Sequence, residues 1–321
     1  MKLTISVPAS FFGIVLGISG LGGCWRAASR LWNAPGVIGE TLLGIAAVIW
    51  AVLLALYIAK WIWRRSEALA EFNHPVQCCF IALVFISTML MGLAVLPYSR
   101  TLAVTLAGIA CSTGLAFAVY RTGGLWMGNR DPGTTTPVLY MPTVAGNFVA
   151  ANLLATLDFL NLAQLLFGAG ALAWLALESV LIHRLLTVAP LPPALRPTLG
   201  IQIAPAVVGC AAYLAITSGP PDLIAMGLLG YGIVVALVVL RMLPWIMEQP
   251  FAASYWAFTF GLTAMAFDAM RMVERGAGES MPTIAMALFA AANVVVGLIA
   301  IGSVWLLLRG RLLPSLVPLP S

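Results

Sequence analysis

Ten mainly apolar stretches, each of about 18 residues or more, constrain this chain most. In lipid a backbone must satisfy its own hydrogen bonds, so such stretches have to be helices. Five of them open on or just after a proline, at Pro8, Pro75, Pro142, Pro197 and Pro250. Each is followed by a second apolar stretch that can return across the bilayer. The interval of about 50 to 70 residues reads as an internal repeat whose unit is a helical hairpin, used five times. The expected spans are 8–25, 38–60, 76–97, 101–120, 138–157, 161–182, 198–217, 222–240, 250–270 and 281–308. The short links Tyr98-Ser99-Arg100, Asp158-Phe159-Leu160 and Ser218-Gly219-Pro220-Pro221 favour antiparallel neighbours, pairing span one with two, three with four, and so on.

With 62% hydrophobic and 8% charged residues and a mean hydropathy of +1.03, the 321 residues read as a single transmembrane domain, 1–321. The loops are too short for an added enzyme or sensor domain. The net charge of +5 comes from dispersed residues at helix ends, without a basic cluster, and therefore reports topology rather than nucleic-acid binding. Lys2, Lys60, Arg64, Arg65, Arg121, Arg130, Arg184, Arg196, Arg241, Arg309 and Arg311 lie at the termini or after even spans. Only Arg26, Arg30, Arg100, Arg271 and Arg275 lie on the other side. The positive-inside rule then places both termini in the cytoplasm.

The cysteines Cys24, Cys78, Cys79, Cys111 and Cys210 lack the spacing of a metal or redox site and read as small apolar residues. Lys2, an apolar run and Leu21-Gly22-Gly23-Cys24 resemble a lipoprotein signal. The spans that follow, and the fit of this stretch to the repeat, favour a retained first helix.

Odd and even spans differ. Span one carries Gly13, Gly17 and Gly20; span five carries Ala145, Gly146, Ala150 and Ala151 with Asn147 and Asn152. Span seven has Gly200, Ala204 and Ala211 with Pro205, and span nine has Ala253, Ala257 and Ala264. Span three, bulky at Phe80, Phe85 and Met89, fits poorly. Even spans such as Leu165–Leu177 read as leucine-rich rods. Small-residue stripes serve close helix packing or line a conduit, and bulky apolar surface suits lipid. The expected architecture is an all-α membrane protein of five hairpins, with odd helices in an inner pore ring and even helices outside.

The segment that bears on chemistry is Ser254–Ala264. Phe260 sits about ten residues past Pro250, roughly 15 Å in and near the middle of a ~30 Å hydrocarbon layer. Its helical neighbours are Trp256, Ala257, Thr263 and Ala264, three of them small. If the Ala257–Ala264 face lines a pore, Phe260 plugs it at midplane, whereas Phe258 lies nearly opposite.

At these residues the chain resembles the TehA tellurite-resistance proteins, bacterial relatives of the plant guard-cell slow anion channels. The resemblance is carried by Trp256-Ala257-Phe258-Thr259-Phe260-Gly261-Leu262, Phe11-Phe12-Gly13-Ile14-Val15-Leu16-Gly17 and Phe72-Asn73-His74-Pro75-Val76. Pro142-Thr143-Val144-Ala145-Gly146-Asn147-Phe148 and Arg241-Met242-Leu243-Pro244-Trp245 add to it. The resemblance implies a homotrimer in a bacterial inner membrane, each protomer with its own pore occluded by a phenylalanine and permeable to monovalent anions such as chloride and nitrate. Phe260 takes the gating role by match, with Phe258 the competing position and Gly13 leaving space near the ring. Gly17, Gly146, Gly200, Ala204, Ala257 and Ala264 complete the expected lining with Gly13. Unlike the plant members, this sequence carries no long hydrophilic tails, so kinase control through them is not implied.

Asp268, two turns beyond Phe260, is expected to pair with Arg271 rather than face an anion path. Without a charge deep in an odd span, binding is weak and throughput fast, which favours a channel. A secondary carrier for dicarboxylates or tellurite-type oxyanions is the alternative; it calls for a midplane cation or for helix N-termini in its place. His74 and His183 sit at membrane edges, too few for a metal or haem cluster, so neither an enzyme nor a cofactor is expected.

Overall fold

The computed structural model describes residues 7–128 and 130–312. Lys2, one of the residues used to orient the chain, lies outside them. The helices are α1 (Phe12–Trp32), α2 (Gly36–Trp63), α3 (Arg65–Asn73), α4 (Ala82–Val95), α5 (Arg100–Trp126), α6 (Gly146–Thr156), α7 (Leu160–Thr187), α8 (Ala204–Ile216), α9 (Leu223–Ile246), α10 (Thr259–Glu274) and α11 (Met281–Leu308). Among the described residues, nine helical stretches are long and apolar enough to cross a membrane. The stretch around α10 is not one of the nine; it carries Asp268, Arg271 and Glu274 in its last two turns.

Each of α1, α4, α6, α8 and α10 is entered through a tighter or wider turn of helix. These entries are Ala9–Phe11, Gln77–Ile81, Pro193–Ile203 and Ala253–Phe258 as 3-10 turns, and Met141–Ala145 as a π turn around Pro142. Proline supplies no N–H and crowds the preceding turn, so regular α-geometry starts only beyond it. The short links are capped locally. Ser99 Oγ accepts the Leu102 N–H at 3.2 Å, and Asp222 Oδ1 accepts that of Ala225 at 3.0 Å.

The helices sort into two environments. In the stretches Ala9–Trp32, Gln77–Val95, Pro137–Thr156 and Pro193–Ile216, 61% to 78% of the most apolar window is buried. In those around α2, α5, α7, α9 and α11 the share is 17% to 22%. The outer helices present large apolar side chains outward, such as Leu165, Leu172 and Leu175 on α7, a surface suited to lipid. Contacts run α1 to α4, α4 to α6, α6 to α8, α8 to α10 and α10 back to α1, a closed circuit. On α4, Phe85 and Met89 pack over Gly114 of α5, whereas Phe80 of the preceding turn and Leu90 and Leu93 border the interior cavities.

Two details depart from the sequence expectation. The first helix continues to Trp32 rather than ending near residue 25, so Arg26 and Arg30 lie on the helix. The extension is tolerated because both guanidiniums are paired, Arg26 with Glu40 at 2.7 Å and Arg30 with Glu274 at 2.9 Å. Helix α3 was not anticipated. Its Glu71 is buried and accepts from Lys60 Nζ at 2.7 Å and from the Ala9 N–H at 2.8 Å, which ties the elbow after α2 to the start of α1.

Candidate conduction pathway

Along α10 and its entry turn the partly exposed side chains include Ala257, Phe260, Ala264, Phe267 and Arg271, which alternate three and four residues apart, with Leu262 also partly exposed off that row. That spacing is one face of a helix, and the face borders two cavities. One, of about 140 Å³, is lined by Ser10, Gly13, Gln77, Phe80, Met141, Ala145, Thr198, Ala204, Ala257 and others. The second, about 650 Å³, is lined by Ser19, Gly23, Leu90, Ala94, Val149, Asn152, Val208, Ala211, Ala264 and others. On each of the five circuit helices the small cavity takes residues earlier in the chain and the large cavity later ones. Among the described residues Phe260 is the one side chain common to both linings. The cavities thus lie in series along the axis of the circuit and meet at this ring.

The expected lining residues divide into two groups. Gly13, Ala204 and Ala257 border the small cavity with Phe260, and Ala264 borders the large one. Gly17, Gly200 and Gly146 sit elsewhere. A Cβ on Gly17 would overlap the Thr259 side chain and come within 2.8 Å of Trp256 Cε3. On Gly200 it would lie 2.8 Å from the Phe258 backbone nitrogen. Gly146 borders a small side pocket with Phe85, Ile86 and Asn147. Gly17 and Gly200 are therefore close-approach positions that set α1 and the Pro193–Ile203 turn against α10.

Phe258 is buried over Gly200 and stacks on Tyr255, with ring centroids 6.0 Å apart. Trp256 is pinned by its Nε1–H, which donates to Ser303 Oγ on α11 at 2.8 Å. The Thr259 and Thr263 hydroxyls donate back to the Trp256 and Phe260 carbonyls at 2.8 and 3.0 Å. These bonds satisfy the helix entry where the geometry changes from 3-10 to α.

The expected Asp268–Arg271 pair does not form. Arg271 Nη1 donates to Glu274 Oε2 at 2.5 Å, and Asp268 is fully buried, its carboxylate oxygens meeting no hydrogen-bond donor in good geometry among the described residues. The reason is angular. Arg271 lies on the cavity face, whereas Asp268 is turned into the packing with α8, beside the Cys210 thiol. Sequence reasoning also left out of the lining the arginines of the large cavity, Arg26, Arg30, Arg271 and Arg275. The signal was available, since the three-four stripe from Ala257 through Phe260 continues directly to Arg271. Among the described residues no group of three or more His, Cys, Asp or Glu could hold a metal ion.

The fold defines a multi-pass, all-helical membrane protein with two axial cavities in its helical circuit. Residues 6–304 match the SLAC1 family, described as voltage-dependent anion channels, and the chain belongs to that family. It is 35% identical over 306 residues to the tellurite resistance protein TehA homolog of Haemophilus influenzae, covering 95% of this chain and 92% of the relative. It is 25% identical to an uncharacterized transporter of Methanocaldococcus jannaschii, over 68% of this chain and 69% of that one. It is 24% identical to the guard cell S-type anion channel SLAC1 of Arabidopsis thaliana, over 88% of this chain and 52% of that one. The family is one of anion channels and transporters rather than enzymes.

Proposed function

We propose that the chain is an anion-selective channel for monovalent ions such as chloride and nitrate, closed in this conformation by the Phe260 ring. The observation that carries the reading is the meeting of two axial cavities at that one side chain. The passage is framed mainly by small and apolar side chains near the ring, so an anion is held weakly and crosses quickly. Closure then needs no more than an apolar ring filling a narrow neck that would otherwise hydrate.

The reading includes ten membrane helices in five hairpins, the stretch from Ala253 to Glu274 being the ninth, with the circuit helices inside and the others facing lipid. Its polar last turns suit a helix whose sides are covered by protein rather than lipid. Residues 1–321 form one transmembrane unit. In this reading the membrane is a bacterial inner membrane and both termini are cytoplasmic, an orientation supported by the distribution of basic residues. The reading extends to assembly as a homotrimer, which the family resemblance supports, and mass measurement of the protein in nanodiscs tests it.

The deciding experiment records currents from purified protein in lipid bilayers under chloride and nitrate gradients, comparing wild type with Phe260→Ala. A large anion-selective conductance in the variant only is the expected result. Equal conductance in both proteins would remove Phe260 as the gate. Silence in both, with folded protein confirmed, would overturn the channel reading in favour of a secondary carrier for dicarboxylates or tellurite-type oxyanions.

A further inference from the structure

Among the described residues the charged side chains that line the 650 Å³ cavity are Arg26, Arg30, Arg271 and Arg275, and no carboxylate lines it with them. Glu40 and Glu274, which pair with three of these arginines, lie outside the lining. Arg26 meets Glu40 through two bonds of 2.7 and 2.8 Å. Glu274 is shared by Arg30 Nε at 2.9 Å and Arg271 Nη1 at 2.5 Å, so one carboxylate holds two guanidiniums side by side. Arg275 is held without a carboxylate, by the carbonyls of Leu214 at 3.1 Å and Thr217 at 2.5 Å and by the Thr217 hydroxyl at 3.3 Å. In these contacts four guanidiniums are balanced by two carboxylates, neither of which lines the cavity.

Contacts of this kind fix the guanidinium planes while leaving donors over. Each guanidinium has five N–H groups, and the bonds to Glu274 use Nε of Arg30 and Nη1 of Arg271. A fixed planar fork of N–H donors matches two oxygens of one small anion better than it matches a spherical halide. Field lines from the cationic layer are concentrated in a recess with apolar walls such as Leu90, Leu93 and Phe267.

We propose that Arg30, Arg271 and Arg275 form a binding site for a small polyatomic oxyanion in the large cavity, separate from the Phe260 constriction, and that this site loads the passage. The proposal deepens the channel reading by naming the residues that select the ion. Arg26, held through two bonds by Glu40, shapes the wall of the recess and adds charge.

The test uses nitrate as the probe on purified wild-type protein. Binding is followed by thermal stabilisation at constant ionic strength, with gluconate as the balancing anion. Wild type should show saturable stabilisation by nitrate, with chloride at least several-fold weaker. Arg275→Gln and Arg271→Gln should each weaken nitrate binding about tenfold. Arg275→Lys, which keeps the charge and loses the fork, should retain binding but lose the preference for nitrate over chloride. Arg100→Gln, altering an exposed arginine paired with Asp158, should bind as wild type does. Unchanged nitrate binding in the glutamine variants, or equal nitrate and chloride binding in wild type, overturns the site. If Arg275→Gln fails to fold, Arg275→Lys decides the matter by its preference alone. Saturable nitrate binding with no current through Phe260→Ala would sink the channel reading and leave the site standing. Current through Phe260→Ala that is unaffected by the arginine variants would do the reverse.

Discussion

Gly17→Ala tests whether the small residues of α1 are there for close helix contact, and its cost can be worked from the structure. An added Cβ would overlap Thr259 Oγ1, lie 2.7 Å from Thr259 Cβ and 2.8 Å from Trp256 Cε3. Carbon atoms in contact normally sit about 3.5–4.0 Å apart, so the gap must open by close to 1 Å. Neither neighbour yields easily, because the Thr259 hydroxyl is bonded to the Trp256 carbonyl and the indole to Ser303. Overpacking of a well-filled contact costs about 1–3 kcal/mol, and the locked partners argue for the upper half of that range. Gly23, on the same helix, is the control: a Cβ there meets nothing within 4 Å, and the residue lines the large cavity. Thermal unfolding in detergent, followed by loss of the monodisperse peak, should show Gly17→Ala lowered by several degrees and Gly23→Ala close to wild type. Equal midpoints for the two variants would refute the packing argument and with it the register of α1 on α10.

Phe258→Ala and Phe260→Ala should differ in kind. Truncating the buried, stacked Phe258 should cost about 3–5 kcal/mol in stability and leave the bilayer silent, whereas Phe260→Ala should be milder in stability and conductive. Lys60→Met should destabilise by about 3–5 kcal/mol, because it leaves the buried Glu71 carboxylate without its cation, and Lys60→Met with Glu71→Leu should recover much of that loss in the same unfolding assay. Asp222 is held below the usual carboxylate range by the Tyr213 hydroxyl foremost and then by the Ala225 N–H. Its lowered value means that the cap is fully stabilising above the unfolded value of about 3.9 and is lost as pH falls through the folded one, so the advantage of wild type over Asp222→Ala in unfolding midpoint should narrow between pH 5 and pH 3.

Much of this protein was legible before any fold was known, because lipid forces a local solution. A segment that must satisfy its own backbone bonds declares itself by length and apolarity alone. That is why nine of the ten expected spans match helices long and apolar enough to cross, their ends moved by a few residues. The remaining expectation, 250–270, does not match one of these helices, because the last two turns of α10 carry Asp268, Arg271 and Glu274. The three-four stripe around Phe260 was legible for the same local reason, and the motifs around it identified the family.

Which small residues face a cavity was not legible. Gly13 and Gly17 stand one turn apart, yet one borders the passage and the other touches Thr259. That difference is set by how α1 rotates against α10, a choice made by side chains more than 200 positions away in the chain. Charge pairing failed at sequence level in the same way. Asp268 and Arg271 are spaced to bond along one helix, but Arg271 is drawn to the carboxylate that also holds Arg30 of α1. The sequence by itself determined the solvent, the helices and the family, because each depends on residues near one another in the chain. The tertiary structure alone decided that Phe260 separates two cavities and that four arginines share one of them, because both depend on the angle at which distant helices meet.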